Sequence, residues 1–324
     1  MAEAGDWFAS VHIPLQPWID SHFFWLSQHV RPYFDILRGP LAAAIGALAT
    51  FLGSIPPPLV LLVLFVATWQ AGGLVSGIFV AAVLGLAGTL GIWADMAQTF
   101  ALILTSVVLC LLVGLPLGFA AARSNRIDTA LRPVLDLMQT LPAFVYLVPI
   151  VLVVGIGSVP GILVTFVFAV PPTIRLTSLA LRNVPPPIVE AAQALGASPA
   201  QILFKVEIPN ALGTMLLGIN QTVMMALAMV TYAAMIGVGG LGRLVLQGIG
   251  RLDMGLATVG GLGIVALAIL FSQLLVAKPR NVAGPAWLAS PSALVVKLFR
   301  ALAPGPTRRL AAPATTIHGD ENHA

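Results

Sequence analysis

Apolar runs follow one another from residue 58 to residue 276, at 58–72, 74–93, 99–121, 140–157, 159–181, 212–236 and 256–276. None of the chain's twelve acidic residues and none of its five histidines falls inside a run. Most runs reach the roughly 17–25 residues that a helix needs to cross a bilayer. In lipid a spanning segment must satisfy its own backbone hydrogen bonds, which leaves helices or closed barrels. Runs of this length without period-two alternation select the helix. The sequence therefore predicts an all-α chain, a polytopic transmembrane helical bundle of about seven spans. Composition agrees: 58% of residues are hydrophobic and 9% charged, against about 25% charged in soluble domains. The first run is short and turns tightly at Gly72-Gly73. Small residues such as Gly114 and Gly118 recur within the runs, where they let helices approach closely.

Residues 1–57 form an amphipathic N-terminal region. Trp7, Phe8, Trp18, Phe23, Phe24, Trp25, Tyr33 and Phe34 alternate with polar groups, which suits a helix at the membrane interface. Leu41 to Leu52 is a second, apolar helix, short for a span; an additional crossing there is the alternative. Glu3 and Asp6 precede the aromatics, unlike the basic-then-apolar layout of a cleaved signal peptide. Residues 277–324 make a cytoplasmic tail, with a short amphipathic helix at Leu294–Leu302 and a disordered end from Pro304.

Basic residues orient the bundle. With the N-terminus outside and seven spans, Arg123, Arg126, Arg132, Arg182, Lys205 and the tail's Lys278, Arg280, Lys297, Arg300, Arg308 and Arg309 lie inside. Arg31, Arg38, Arg243 and Arg251 lie outside, so the positive-inside rule is satisfied. The scattered basic residues describe topology and give no nucleic-acid surface.

Several chemistries lack their residues. Proton-coupled carriers commonly relay through intramembrane Asp, Glu or His, and the runs contain none. The lysines, Lys205, Lys278 and Lys297, follow Phe204, Ala277 and Val296, so none belongs to a Gly-Lys-Ser/Thr phosphate loop. Cys110 is the sole cysteine, which leaves no disulfide or cysteine metal site within one chain. No metal site, cofactor site or nucleophile-base pairing is visible. Intramembrane polar groups are few: Gln139 and Thr140 before Leu141-Pro142, and Asn220, Gln221 and Thr222 in a later run. They line a translocation path, or they hydrogen-bond between helices. Tyr146, Phe144, Met224, Met225 and Met229 are either path-lining or core.

The polar island Glu190–Pro209 lies between two apolar runs. Glu190-Ala191-Ala192 opens a helical pattern that Gly196 stops by adopting the left-handed conformation. Ser198, Pro199 and Gln201 start a second helix with an N-cap, a first-turn proline and a capping box. That helix carries Lys205 and is expected to stop before Pro209.

This spacing resembles the "EAA" loop of permease subunits of bacterial ABC importers. The family pattern is Glu-Ala-Ala, three residues, Gly, nine residues, Ile, any residue, Leu-Pro. Glu190, Ala191, Ala192, Gly196 and Pro209 match it, and Val206 and Ile208 replace its Ile and Leu. Met138–Gly161, Phe168–Pro185 and Met235–Gly261 further resemble permeases of glycine betaine/proline-type osmoprotectant importers. The resemblance covers about residues 57–276. It implies a type I ABC importer permease fold in a bacterial inner membrane. It also implies a permease homodimer in lipid, a cytoplasmic ATP-binding subunit docked on the loop, and an extracytoplasmic binding protein. ATP hydrolysis would fall to the partner subunit, and the solute would be glycine betaine, proline, choline or carnitine. A sodium-coupled carrier and a non-transport membrane scaffold are the competing readings.

Overall fold

Two helices set the frame. The computed structural model describes residues 15–275, and the expectations for residues 1–14 and for the tail lie outside them. Helix α4, Trp93–Arg123, packs along α7, Ser158–Arg182. Gly114 and Gly118, one turn apart, make the approach possible. A Cβ on Gly118 would stand 2.6 Å from Thr177 Cβ and 3.0 Å from the Ile174 carbonyl oxygen. Small residues at this spacing let two helix backbones meet where lipid supplies no hydrophobic drive. Helix α7 also receives α10, Ile208–Ala228, where Thr173 and Thr222 share a buried 2.7 Å hydrogen bond. Pro116 in α4 and the Pro171-Pro172 pair in α7 sit inside otherwise continuous helices.

The remaining helices surround this trio. They are α1 (Leu15–Ser54), α2 (Pro57–Gly72), α3 (Leu74–Thr89), α5 (Asn125–Thr140) and α6 (Ala143–Val154). The short α8 (Pro186–Ala194) and α9 (Pro199–Ile202) precede α10, and α11 (Val230–Met235), α12 (Leu241–Arg251) and α13 (Met254–Leu275) follow it. No strand occurs among the described residues. Leu84, Ile103, Val170, Val223, Leu241 and Leu270 belong to one buried apolar cluster spanning six of these helices. Phe100 of α4 stacks on Phe271 of α13 at 5.1 Å. The turn after α11 is pinned by Thr99: its hydroxyl accepts the Leu241 N–H at 2.8 Å and donates to the Asp95 carbonyl at 2.8 Å.

Two expectations need correction. The first concerns the N-terminal region, which forms one 40-residue helix, α1, rather than an interfacial helix followed by a separate Leu41–Leu52 segment. It bends by 43° between Ile36 and Arg38. Pro40 explains the bend, because its ring displaces the carbonyl four residues back and it has no N–H to donate. Together Gln28–Ile36 and Arg38–Ser54 have the length and hydropathy of a span, and Ile45 is buried with Leu102 of α4 and Ile162 of α7. Trp18, Phe24, Trp25 and Tyr33 are exposed.

Second, the run 140–157 is not one straight span. Helices α5 and α6 meet at 98°, because Pro142 holds Leu141 extended at φ −69°, ψ 134°. The 12 residues of α6 reach only about 18 Å at 1.5 Å per residue, short of a hydrocarbon core of about 30 Å. Among the described residues, four helices are long and apolar enough by length and composition to cross a membrane, or six if each bent pair counts as one span; α2 and α3 are shorter apolar helices.

Candidate functional site

Three consecutive prolines open the site. Pro185 caps α8, while Pro186 and Pro187 occupy its first turn, where a missing N–H costs nothing. Glu190 is therefore the fifth residue of a nine-residue helix, exposed at its middle. The expectation that Glu190 sits at the helix N-terminus fails, and with it any dipole stabilisation of its carboxylate, which is confined to the first turn.

The end of α8 follows the sequence closely. Gly196 takes φ +76°. Its N–H donates to the Gln193 carbonyl at 2.9 Å, and the Ala197 N–H donates to the Ala192 carbonyl at 3.1 Å. This pair of bonds is the Schellman closure, which a left-handed glycine permits. Ser198 Oγ then accepts the Gln201 N–H at 3.3 Å, and Gln201 Oε1 accepts the Ser198 N–H at 2.9 Å. The capping box fixes the start of α9 at Pro199.

Beyond α9 the second helix does not stop before Pro209. Leu203–Glu207 forms a π-turn, in which the Ile208 N–H reaches the Leu203 carbonyl, and α10 continues directly from it. Pro209 would clash with the Lys205 carbonyl and leave it without a donor in a regular α-helix. Widening the helix by one residue per turn at that point accommodates the ring. Helical structure thus runs from Pro199 to Met235, across 37 residues and from the loop into the bundle.

The hairpin has an apolar underside and an apolar outer face. Beneath, Val189 packs on the cluster of Ala180, Val184, Ala211 and Met215. Outside, Leu195 is 88%, Phe204 67% and Ile188 43% exposed. Ala191 and Lys205 are exposed beside them.

Charges gather at the same end of the bundle. Arg123, the last residue of α4, pairs with Glu207 of the π-turn. Arg175 of α7 reaches Asp136 of α5 at 2.6 Å, and Arg132 reaches Asp128 at 2.6 Å. Arg182 donates to Asn125 Oδ1 at 2.7 Å. A cavity of about 360 Å³ lies between α5 and α7, lined by Asp128, Arg132, Asp136, Arg175, Ser178 and Arg182 among others. At the opposite end of α4, Asp95 pairs with Arg243 at 3.2 Å.

The residues singled out as path candidates divide. Gln139 Nε2 lies 3.7 Å from Met225 Sδ, which brings α5 against α10, and exposed Gln221 is one turn before Met225. Asn220 Oδ1 is buried with no hydrogen-bond partner among the described residues. Thr140 donates to its own helix at the Leu137 carbonyl, 3.5 Å away. The Tyr146 hydroxyl lies 3.3 Å from the carbonyls of Met138 and Leu141, across the α5–α6 break. It serves backbone groups that the break leaves without helical partners. Met229 is fully buried core. Sequence reasoning missed Glu207 and Arg123, which lie 84 positions apart; the only signal was a lone carboxylate in the apolar stretch Val206–Ile208.

The bundle is built on α4, α7 and α10 and carries a doubly capped hairpin continuous with one long helix. Comparisons with known proteins show its class. The family of binding-protein-dependent transport system inner membrane components matches residues 114–277. The glycine betaine/proline betaine transport system permease protein ProW of Escherichia coli (strain K12) is 48% identical over 276 residues, 85% of this chain and 78% of that protein. The glycine betaine/carnitine transport permease protein GbuB of Listeria monocytogenes is 42% identical over 266 residues, covering 81% and 94%. Among solved structures, a chain of the inward-facing MetNI methionine ABC transporter aligns with a TM-score of 0.51 at 22% identity, over 56% of this chain and 91% of that one; this likeness concerns the fold alone.

The chain belongs to the family of binding-protein-dependent transport system inner membrane components. It is a membrane permease of a bacterial ABC importer, in which a separate subunit hydrolyses ATP and a separate protein binds the substrate. The sodium-coupled reading falls with that membership.

Proposed function

We propose that the chain forms the translocation path for glycine betaine or a related quaternary amine, as a homodimer in lipid, and that the hairpin from Pro186 to Pro209 is where the ATPase docks. The observation that carries the docking reading is the exposure of Leu195, Phe204 and Ile188 together on a rigidly capped polar hairpin. Apolar anchors inside a polar rim are the usual energetic centre of a protein interface. Glu190 and Lys205, both exposed on the same hairpin, supply charges of each sign to such a rim. Ala191 and Ala192 keep the α8 surface low, Gly196 and Ser198 set the angle between the two helices, and Pro209 lies where that angle enters α10.

Support for the substrate comes from the relatives, whose names share glycine betaine. A quaternary ammonium has no proton to donate, so its recognition relies on aromatic faces through cation–π attraction. That selection belongs to the binding protein, while Gln139, Gln221 and the unpartnered Asn220 are the polar groups offered to the path. Thr140 and Tyr146 take a supporting place at the α5–α6 break.

The test is uptake of labelled glycine betaine by the complete system, with competing solutes. Glycine betaine, proline betaine or carnitine should compete, and sugars and peptides should not. Failure of every trimethylated amine, with competition by another solute class, would overturn the substrate assignment and leave the permease class standing.

A further inference from the structure

Glu207 is the only buried carboxylate among the described residues, with its side chain 8% exposed. A buried carboxylate is costly unless a cation and hydrogen bonds compensate it. Its partner is Arg123, the final residue of α4, whose side chain is 58% exposed and so remains in contact with water. The carboxylate projects from the π-turn that joins α9 to α10, and π-turns of this kind often mark functional positions.

The placement matters more than the pair. The loop helix α9 reaches α10 by unbroken helical backbone through that turn. The apolar underside of α8 packs through Val189 on a cluster with Ala180 of α7, and the same cluster takes in Leu115 and Phe119 of α4. Neither contact is a polar link to α4. The Arg123–Glu207 pair supplies one, 84 positions apart in sequence. Helix α4 is in turn locked to α7 through Gly114 and Gly118.

Resting on the permease reading above, we propose that Arg123 and Glu207 form a strut that passes displacement of the coupling hairpin into α4, so that α4, α7 and α10 move together when the ATPase closes. Both are positioning residues, and neither touches substrate. The strut need not hold the ATPase on, because Glu207 is buried and offers no surface to a docked partner. Its loss should separate hydrolysis from transport.

The experiment uses the full complex of permease, ATPase and binding protein in liposomes. It compares the wild type with Glu207→Gln, Arg123→Gln and the reversed pair Arg123→Glu/Glu207→Arg. Solute transported per ATP hydrolysed, ATPase copurification and the thermal midpoint are read side by side. Each single variant should lower transport per ATP by about tenfold, within the range typical of coupling between two sites. Copurification and midpoint should stay near wild type, and the reversed pair should recover much of the transport ratio. An unchanged transport ratio in both single variants overturns the strut. So does a loss of midpoint or copurification that accounts for the whole transport defect, or a reversed pair no better than either single variant. If the wild-type chain itself neither binds the ATPase nor transports with ATP, the permease reading has failed and the strut falls with it.

Discussion

Gly196 holds the angle between α8 and α9 through one dihedral. Its φ is +76°, and a Cβ there would meet nothing within 4 Å. The penalty for a side chain is thus conformational and not steric, about 1–2 kcal/mol for an L-residue in the left-handed region. That corresponds to a factor of about 5–30 in population. Gly196→Val should therefore reduce binding-protein-stimulated ATP hydrolysis by a factor in that range, at normal membrane insertion. Gly196→Asn should stay within about twofold, since Asn tolerates left-handed backbone. Equal activity of the two variants in a hydrolysis assay would remove the dihedral from the explanation. Glu190→Ala is expected to be milder than Gly196→Val, because Glu190 is exposed at mid-helix and neither caps nor orients α8. Double substitution of Leu195 and Phe204 by Ser should weaken ATPase copurification by about tenfold or more, given about 1.5–3 kcal/mol for burial of each large apolar side chain.

Contacts between elements were legible where they depend on spacing along one helix. Gly114 and Gly118 stand four apart on α4, and the structure places both against α7. Gly118→Val should lower the thermal midpoint in detergent, since overpacking a tight contact costs about 1–3 kcal/mol. Gly85→Ala, which meets open space, should leave it unchanged or raised; equal losses in both would show that the α4–α7 approach is not special. Prolines were harder to read. Leu141-Pro142 did break the helix, whereas Pro32 and Pro40 lie inside α1 and Pro209 in the first turn of α10. Whether a proline stops a helix depends on neighbours that satisfy the freed carbonyl, and those neighbours are tertiary. The caps at Gly196 and Ser198 were visible because capping is local chemistry. Thr173 with Thr222 and Arg123 with Glu207 were not, because each pair is made only once α4, α7 and α10 have packed.

For the whole molecule, α4, a helix of 31 residues, carries the Asp95–Arg243 pair near one end and Arg123–Glu207 at the other. From Asp95 to Arg123, at 1.5 Å per residue, this is about 42 Å, enough to put the two charged ends on opposite sides of a bilayer. From the basic excess at the Arg123 end we propose that this end faces the cytoplasm. With Cys110 replaced by Ala, a cysteine at Gln201 should be protected from impermeant thiol reagents in intact cells, and one at Gln247 should be labelled. The reverse pattern would invert the orientation.

The central claim is that this chain moves solute only when a separate ATPase drives it. Its most direct test is accumulation of labelled glycine betaine in liposomes, comparing the complete complex supplied with ATP and binding protein against the chain alone under proton or sodium gradients. Accumulation by the complex with ATP, and none by the chain alone under either gradient, is the expected result. Gradient-driven accumulation by the purified chain without an ATPase would contradict it.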